Sequence, residues 1–160
     1  MEFRPSISLR ARVLNVDLNG RPVPFQVETR SADQHIVVEF PVTDRRNRLR
    51  IRLQNEFGLS MYPSLPKLGS SSHGLRILSQ VWSPKRDQLT LEASGAAGRE
   101  YNLRAWNSGE IQSVEGAEFN PSTSTDRIVI HIPASDAEAY PHAKVVFHFI
   151  STQNKGKDAR

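Results

Sequence analysis

The sequence predicts an all-β protein, an antiparallel β-sandwich of the immunoglobulin-like or jelly-roll-like type. Apolar and polar residues alternate along most of the chain, which places the apolar side chains on one face of each strand. Helical periodicity is nearly absent, and this excludes folds in which strands alternate with helices. Turn-forming pairs such as Asn19-Gly20 and Ser94-Gly95 separate the alternating runs, as is typical of short antiparallel strands.

Length and composition narrow the possible classes of protein. The chain has 160 residues, which suits a single domain with its own core. It contains no cysteine, so disulfides, thiolate metal sites and cysteine nucleophiles are excluded. The formal net charge of +4 is too small to require a nucleic-acid partner. No apolar run approaches the roughly 18 to 20 residues of a membrane span, so membrane insertion is not expected.

Alternation and turn chemistry together predict about ten strands, a number typical of a sandwich or barrel. They cover residues 7–13, 25–29, 35–40, 49–53, 75–82, 88–93, 100–106, 111–114, 127–132 and 144–150.

The predicted domain spans residues 1–150, followed by a disordered tail over 151–160 that is rich in lysine and polar residues. Residues 58–73 contain several prolines, glycines and serines, and loops of this length are uncommon inside a compact domain. This segment is therefore either a functional loop or the junction between two half-units, 1–57 and 74–150.

The two halves contain similar segments in the same order. Residues 15–20, 33–41 and 49–53 match residues 113–116, 126–133 and 145–149. Duplication and coincidence both stay open, because period-two strands resemble one another, but both predict the same core. The matched apolar positions are Ile36 with Ile128, Val38 with Ile130, Phe40 with Ile132, and Leu49, Ile51 and Leu53 with Val145, Phe147 and Phe149.

One hairpin sequence points to a family. The run Val16-Asp17-Leu18-Asn19-Gly20-Arg21-Pro22-Val23-Pro24-Phe25 resembles the V-x-x-N-G-x-x-V-x-F hairpins of immunoglobulin-like accessory domains in bacterial glycan-processing enzymes, as does the Gly98-x-x-Tyr101-x-Leu103 pattern. The resemblance implies a module without an active site that contributes packing, spacing or sugar contact. It supplies no catalytic residues.

The usual sequence signatures of enzymes are missing. There is no G-x-S-x-G, P-loop, G-x-G-x-x-G, H-E-x-x-H or EF-hand motif. The five histidines lack the paired spacing of metal ligands, so no metal or other cofactor is predicted. His131 and His148 would approach each other only if their strands pair.

Arginine provides one candidate ligand-binding surface. Arg45, Arg46, Arg48, Arg50 and Arg52 lie within eight residues, and the last three project from one face of one strand. Such a ladder can bind phosphate, carboxylate or sulfate groups, although charge on an exposed strand also simply discourages edge pairing.

Aromatic residues provide a second candidate surface. Trp106 alternates with Leu103 and Ala105 in a way that directs it away from the core, and it precedes a turn. Trp82 is expected on the face of Arg76, Leu78 and Gln80. Together with Tyr62 these rings could form a stacking platform for a sugar, although large aromatics more commonly contribute core area.

These observations predict a non-catalytic accessory or interaction module of a larger bacterial extracellular or envelope protein, with neighbouring domains or a glycan as partner. A carbohydrate-binding module that uses exposed aromatics is the first alternative. A small all-β glycan hydrolase is the second, and it requires two carboxylates within about 10 Å in one cleft. The sequence does not determine the oligomeric state.

Overall fold

The computed structural model describes residues 1–42, 45–61, 66–70, 72–120 and 126–150. These residues form fifteen strands, whose pairings are antiparallel, and one 3₁₀ turn, which confirms the predicted all-β class. The predicted tail over 151–160 lies outside them. Within the described ranges, no helix is long and apolar enough to cross a bilayer. The chain divides into two compact units, Met1–Gly58 and Leu59–Arg160.

The first unit contains two antiparallel sheets. The strands are β1 (Glu2–Phe3), β2 (Ser6–Ile7), β3 (Arg12–Leu18), β4 (Arg21–Pro22), β5 (Gln26–Thr29), β6 (Gln34–Glu39) and β7 (Leu49–Gln54). In one sheet, β6 lies between β5 and a split edge strand made of β1 and β2, and the order of the other is β4-β3-β7. The split falls at Arg4-Pro5, where the proline ring has no N–H to donate.

The core of this unit is formed by apolar residues of both sheets. Ile36 and Val38 of β6 are completely buried, and they cluster with Val16 of β3. Leu49 and Ile51 of β7 pack against this cluster and are half-buried. Two sheets that share one apolar interior are consistent with a β-sandwich.

The expected strand over 7–13 is wrong, because the chain turns at residues 9–10 between β2 and β3. The buried side chain of Gln34 donates from Nε2 to the carbonyl oxygens of Ser8, at 2.9 Å, and Ala11, at 3.1 Å. Strict alternation also predicts an exposed Arg10, whereas Arg10 is buried.

The second unit also contains two sheets. The strands are β8 (Gly58–Ser60), β9 (Arg76–Trp82), β10 (Gln88–Ser94), β11 (Glu100–Trp106), β12 (Ile111–Glu115), β13 (Glu118–Phe119), β14 (Arg127–His131) and β15 (His142–Phe149). Their orders are β12-β15-β10-β9 and β13-β14-β11-β8. Buried apolar residues come from both sheets, including Leu91 and Phe147 in the first and Leu103 and Ile130 in the second. Because β8 begins at residue 58, the segment 58–73 is not entirely a loop.

Strand pairings recur in the two matched halves. β3 pairs with β7 so that Val16 lies opposite Ile51, and β12 pairs with β15 so that Val114 lies opposite Phe147. In the other sheet of each unit, β5 pairs with β6 and β13 pairs with β14. The pairings therefore follow the order of the sequence match, and they are compatible with duplication and with coincidence.

Gly116 occupies the tight turn between β12 and β13. Its φ is +76°, in the left-handed region, and a Cβ atom at this position would lie 2.1 Å from the carbonyl oxygen of Lys144. No real side chain tolerates that distance from a backbone atom, so only glycine fits.

We expect Gly116→Ala to lower the free energy of unfolding by at least about 2 kcal/mol, because backbone must move and a strained φ is retained. Urea denaturation followed by circular dichroism measures the change. Gly109→Ala is the matched control: nothing lies within 4 Å of the added methyl group and φ is not positive, so its effect should stay within about 0.5 kcal/mol. Equal effects of both substitutions would contradict the close approach.

Candidate functional site

The outer face of β7 is strongly basic. Arg50 and Arg52 are exposed and alternate with the half-buried Leu49, Ile51 and Leu53, and Arg48 precedes the strand on the same face. The predicted projection of three arginines from one strand face is therefore confirmed. Their guanidinium groups are directed to solvent because the core lies on the opposite face of β7.

The β3–β4 hairpin lies directly beside these arginines. Asn19 and Gly20 have φ values of +52° and +82°, which confirms the expected primed turn. The backbone N–H of Asn19 donates to the carbonyl oxygen of Arg48 at 2.9 Å, and the N–H of Arg48 donates to Asn19 Oδ1 at 2.8 Å. These two hydrogen bonds fix the turn against the start of β7.

A pocket of about 450 Å³ lies between the turn and the arginines. Three arginines and one aspartate line it, so the net charge of its lining is positive. Asp17 lies opposite Arg50 across the two strands and accepts a hydrogen bond from Asn15 Nδ2 at 2.8 Å. The lining residues are Asp17, Asn19, Gly20, Arg46, Arg48 and Arg50.

The arrangement suits recognition of an anion. Guanidinium groups present several N–H donors in a plane, and they match the geometry of phosphate, sulfate and carboxylate oxygens. Two of the three arginines proposed from sequence, Arg48 and Arg50, line this pocket. Arg52 lies two residues further along β7, opposite Asn15 of β3, and is not part of the lining. Arg46 belongs to the arginine cluster that the sequence shows. Asn19 and Gly20, which line the pocket on the side opposite the arginines, were identified from sequence only as a turn.

The proposed aromatic platform is not assembled in the described residues. Trp106 is 68% exposed on β11, as its alternation predicts. Trp82 is half-buried on β9, in the other sheet, and its ring stacks on Phe149 with centroids 5.3 Å apart. Tyr62 lies outside the described residues.

The register places Trp82 on the same strand face as Gln80, as expected, but not on the face of Arg76. A β-bulge between Glu92 and Ala93 breaks the register of β10 with β9, so strict alternation does not hold along β9. Trp82 lies opposite Leu89, a core residue, and not on the outer face with Arg76. Its packing is therefore that of a residue at the margin of the core.

The histidines pair with carboxylates on exposed sheet surfaces. His131 contacts Glu100 at 3.3 Å and Glu118 at 3.0 Å, and His148 contacts Glu115 at 2.9 Å. β14 and β15 belong to different sheets, so the strand pairing that would bring His131 and His148 together does not occur. Across the part of the chain that the structure describes, no group of three or more histidine, aspartate or glutamate side chains is placed to hold a metal ion.

Glu56 is the carboxylate with the clearest environment. Its oxygens accept hydrogen bonds from the backbone N–H of Ser8 at 3.2 and 3.3 Å and from the Ser8 hydroxyl at 3.4 Å. Burial raises the pKa of Glu56 above its ordinary value of 4.5, and the hydrogen bonds from Ser8 lower it to a smaller extent. Ionised Glu56 is therefore less favourable in the folded state than in the unfolded chain.

The raised pKa of Glu56 makes the stability of the protein depend on pH in a definite direction. Because the folded state binds the Glu56 proton more tightly than the unfolded state, the contribution of Glu56 to stability falls as the pH rises from 4.5 through the raised pKa. We expect Glu56→Gln, which keeps an acceptor for Ser8, to become more stable relative to wild type between about pH 4 and pH 7. Urea denaturation at both pH values measures this. The control is Glu92→Gln, because the side chain of Glu92 is exposed. An identical pH trend in both variants would contradict the raised pKa of Glu56.

Comparison with known proteins adds no family to these observations: no family model, curated protein or solved structure matches the chain. The resemblance of the β3–β4 hairpin to glycan-enzyme accessory domains therefore stays a prediction, and the case for function depends on the arginine pocket.

Proposed function

We propose that this chain is a non-catalytic interaction module and that the pocket beside β7 binds anionic groups of its partner. The observation that carries the proposal is the convergence of Arg46, Arg48 and Arg50 on one pocket with a single carboxylate. Arginine stays protonated at neutral pH, so these groups can bind and orient an anion but cannot exchange protons with it. As the sequence predicts, the module would serve a larger extracellular or envelope protein.

The excess of positive charge among the residues that line the pocket supports binding over a purely structural role. Among the described residues, no carboxylate lies within ion-pair distance of Arg46, Arg48 or Arg50, whereas Arg4 pairs with Glu28 at 2.5 Å. Grouped like charges repel one another, and an incoming anion relieves that repulsion. Each charge-assisted hydrogen bond then contributes about 1.5–3 kcal/mol.

The remaining ionisable clusters favour a structural interpretation. Glu100, Glu118 and His131 are 63%, 73% and 45% exposed, and solvent weakens electrostatic interactions at such positions. The hydrolase alternative requires two carboxylates in one cleft, and the pocket beside β7 has one, Asp17.

We expect inorganic pyrophosphate to bind the folded chain with an affinity that falls as salt is added, because exposed charges are screened. Arg48→Ala and Arg50→Ala should each weaken binding about tenfold, whereas Arg30→Ala, an exposed arginine at the end of β5, should change it less than about twofold. Isothermal titration calorimetry measures the affinities. No heat of binding, or equal losses in all three variants, would refute the anion pocket.

A second candidate function rests on Trp106. This exposed indole precedes a 3₁₀ turn (Ser108–Glu110), in which the Ser108 hydroxyl donates to Asp126 and Asn107 has a left-handed φ of +56°. A fixed turn beside an exposed ring is suited to stacking against the apolar face of a sugar.

We expect a glycan that binds there to change the emission of Trp106 and not that of Trp82, whose ring packs on Phe149. Titrating a glycan panel against wild type, Trp82→Phe and Trp106→Phe separates the two fluorophores. The response should persist in Trp82→Phe and vanish in Trp106→Phe. Silence of the whole panel in the wild-type protein would remove the glycan-binding candidate.

A further inference from the structure

β7 lies at the edge of its sheet, with β3 on one side and no strand of the described residues on the other. The carbonyl oxygen of Arg48 accepts from Asn19 of the β3–β4 turn, so the backbone groups of residues 48, 50 and 52 face β3. Because successive residues of a strand direct these groups to opposite sides, those of Leu49, Ile51 and Leu53 face away from β3. They form a row of donors and acceptors along an exposed edge.

The second unit contains a strand that matches β7 but has a neighbouring strand on both sides. β15, which matches β7 in sequence, has β10 beside it, so that Leu91 lies opposite Val145 and Leu89 opposite Phe147. Val145 and Phe147 are fully buried, whereas Ile51, the match of Phe147, is only half-buried. A strand beside β7 would complete the burial that the first unit leaves partial.

The charge of β7 restricts which strand can pair there. Arg48, Arg50 and Arg52 share the outer face, so residues opposite them on an added strand should be acidic. Residues opposite Leu49 and Ile51 face the core and should be apolar. A second copy of β7 would place arginine near arginine, which disfavours self-pairing.

We propose that β7 accepts an extended segment of a partner protein, with alternating acidic and apolar side chains, as an added antiparallel strand. This inference rests on the proposed anion-binding function and specifies its ligand. Backbone hydrogen bonds to Leu49, Ile51 and Leu53 hold the segment, and its carboxylates meet Arg50 and Arg52. The arginines thus select a partner while preventing pairing between copies of the chain.

The test uses the intact chain and a capped peptide of about seven residues in which glutamate and valine alternate. We expect the peptide to bind and to slow the hydrogen exchange of the Leu49, Ile51 and Leu53 amides, followed by NMR. Two further peptides carry N-methyl groups on alternate backbone nitrogens, one at the odd-numbered and one at the even-numbered residues. One of them should bind at least about tenfold more weakly than the unmodified peptide and the other should lose much less, because only one edge of the peptide faces β7. The combined Arg50→Ala and Arg52→Ala variant should lose a similar factor, with Arg30→Ala as control.

The outcomes distinguish this inference from the anion pocket. If pyrophosphate binds and the peptide does not, strand addition is refuted while the proposed function stands. Equal binding of both N-methylated peptides and the unmodified peptide also refutes strand addition, since the arginines then attract charge alone. Protection of the β7 amides that depends on protein concentration without peptide would indicate a second copy and overturn the inference. Failure of both pyrophosphate and peptide to bind refutes the proposed function as well.

Discussion

Burial of one apolar face of each strand is the constraint on which the rest of the structure depends. In the first unit, Val16 and Ile36 come from different sheets and are almost completely removed from water. Each such side chain contributes about 1.5–3 kcal/mol to folding. Because Ile51 packs against them, its neighbours Arg50 and Arg52 can only lie on the outer face. The basic surface is therefore a direct consequence of how the core forms.

Local pattern was sufficient for most strands and failed where distant elements intervene. The strand at residues 100–106 follows from alternation alone, as do those near 35–40 and 49–53. The turn at residues 9–10 does not follow from alternation. It is held by the side chain of Gln34, which lies on β6 and donates hydrogen bonds to the carbonyl oxygens of Ser8 and Ala11. The position of Trp82 depends on a bulge between two paired strands, which no single run of residues encodes.

The same distinction applies to the candidate site. Alternation predicted that Arg48, Arg50 and Arg52 share a face, since that is a property of one strand. It did not predict that Asn19 would lie against Arg48, because this contact depends on the register between β3 and β7. That register also explains why Arg52 lies outside the pocket. Sequence thus identified the chemistry of the site, and strand pairing determined which residues form it.

Strands with the same apolar pattern differ in their outer residues according to their place in the sheet. β7 carries Arg50 and Arg52, whereas the matched positions of β15 are Val146 and His148. β15 has a neighbour on both sides, and Val146 is buried between Thr90 and Glu115, where a guanidinium would lose much of its hydration. At the edge, β7 leaves one side of each arginine in water, so several like charges can lie along one strand at little cost to folding. The position of β7 at the edge is thus what permits a concentrated basic surface, and the same position exposes the backbone beside it.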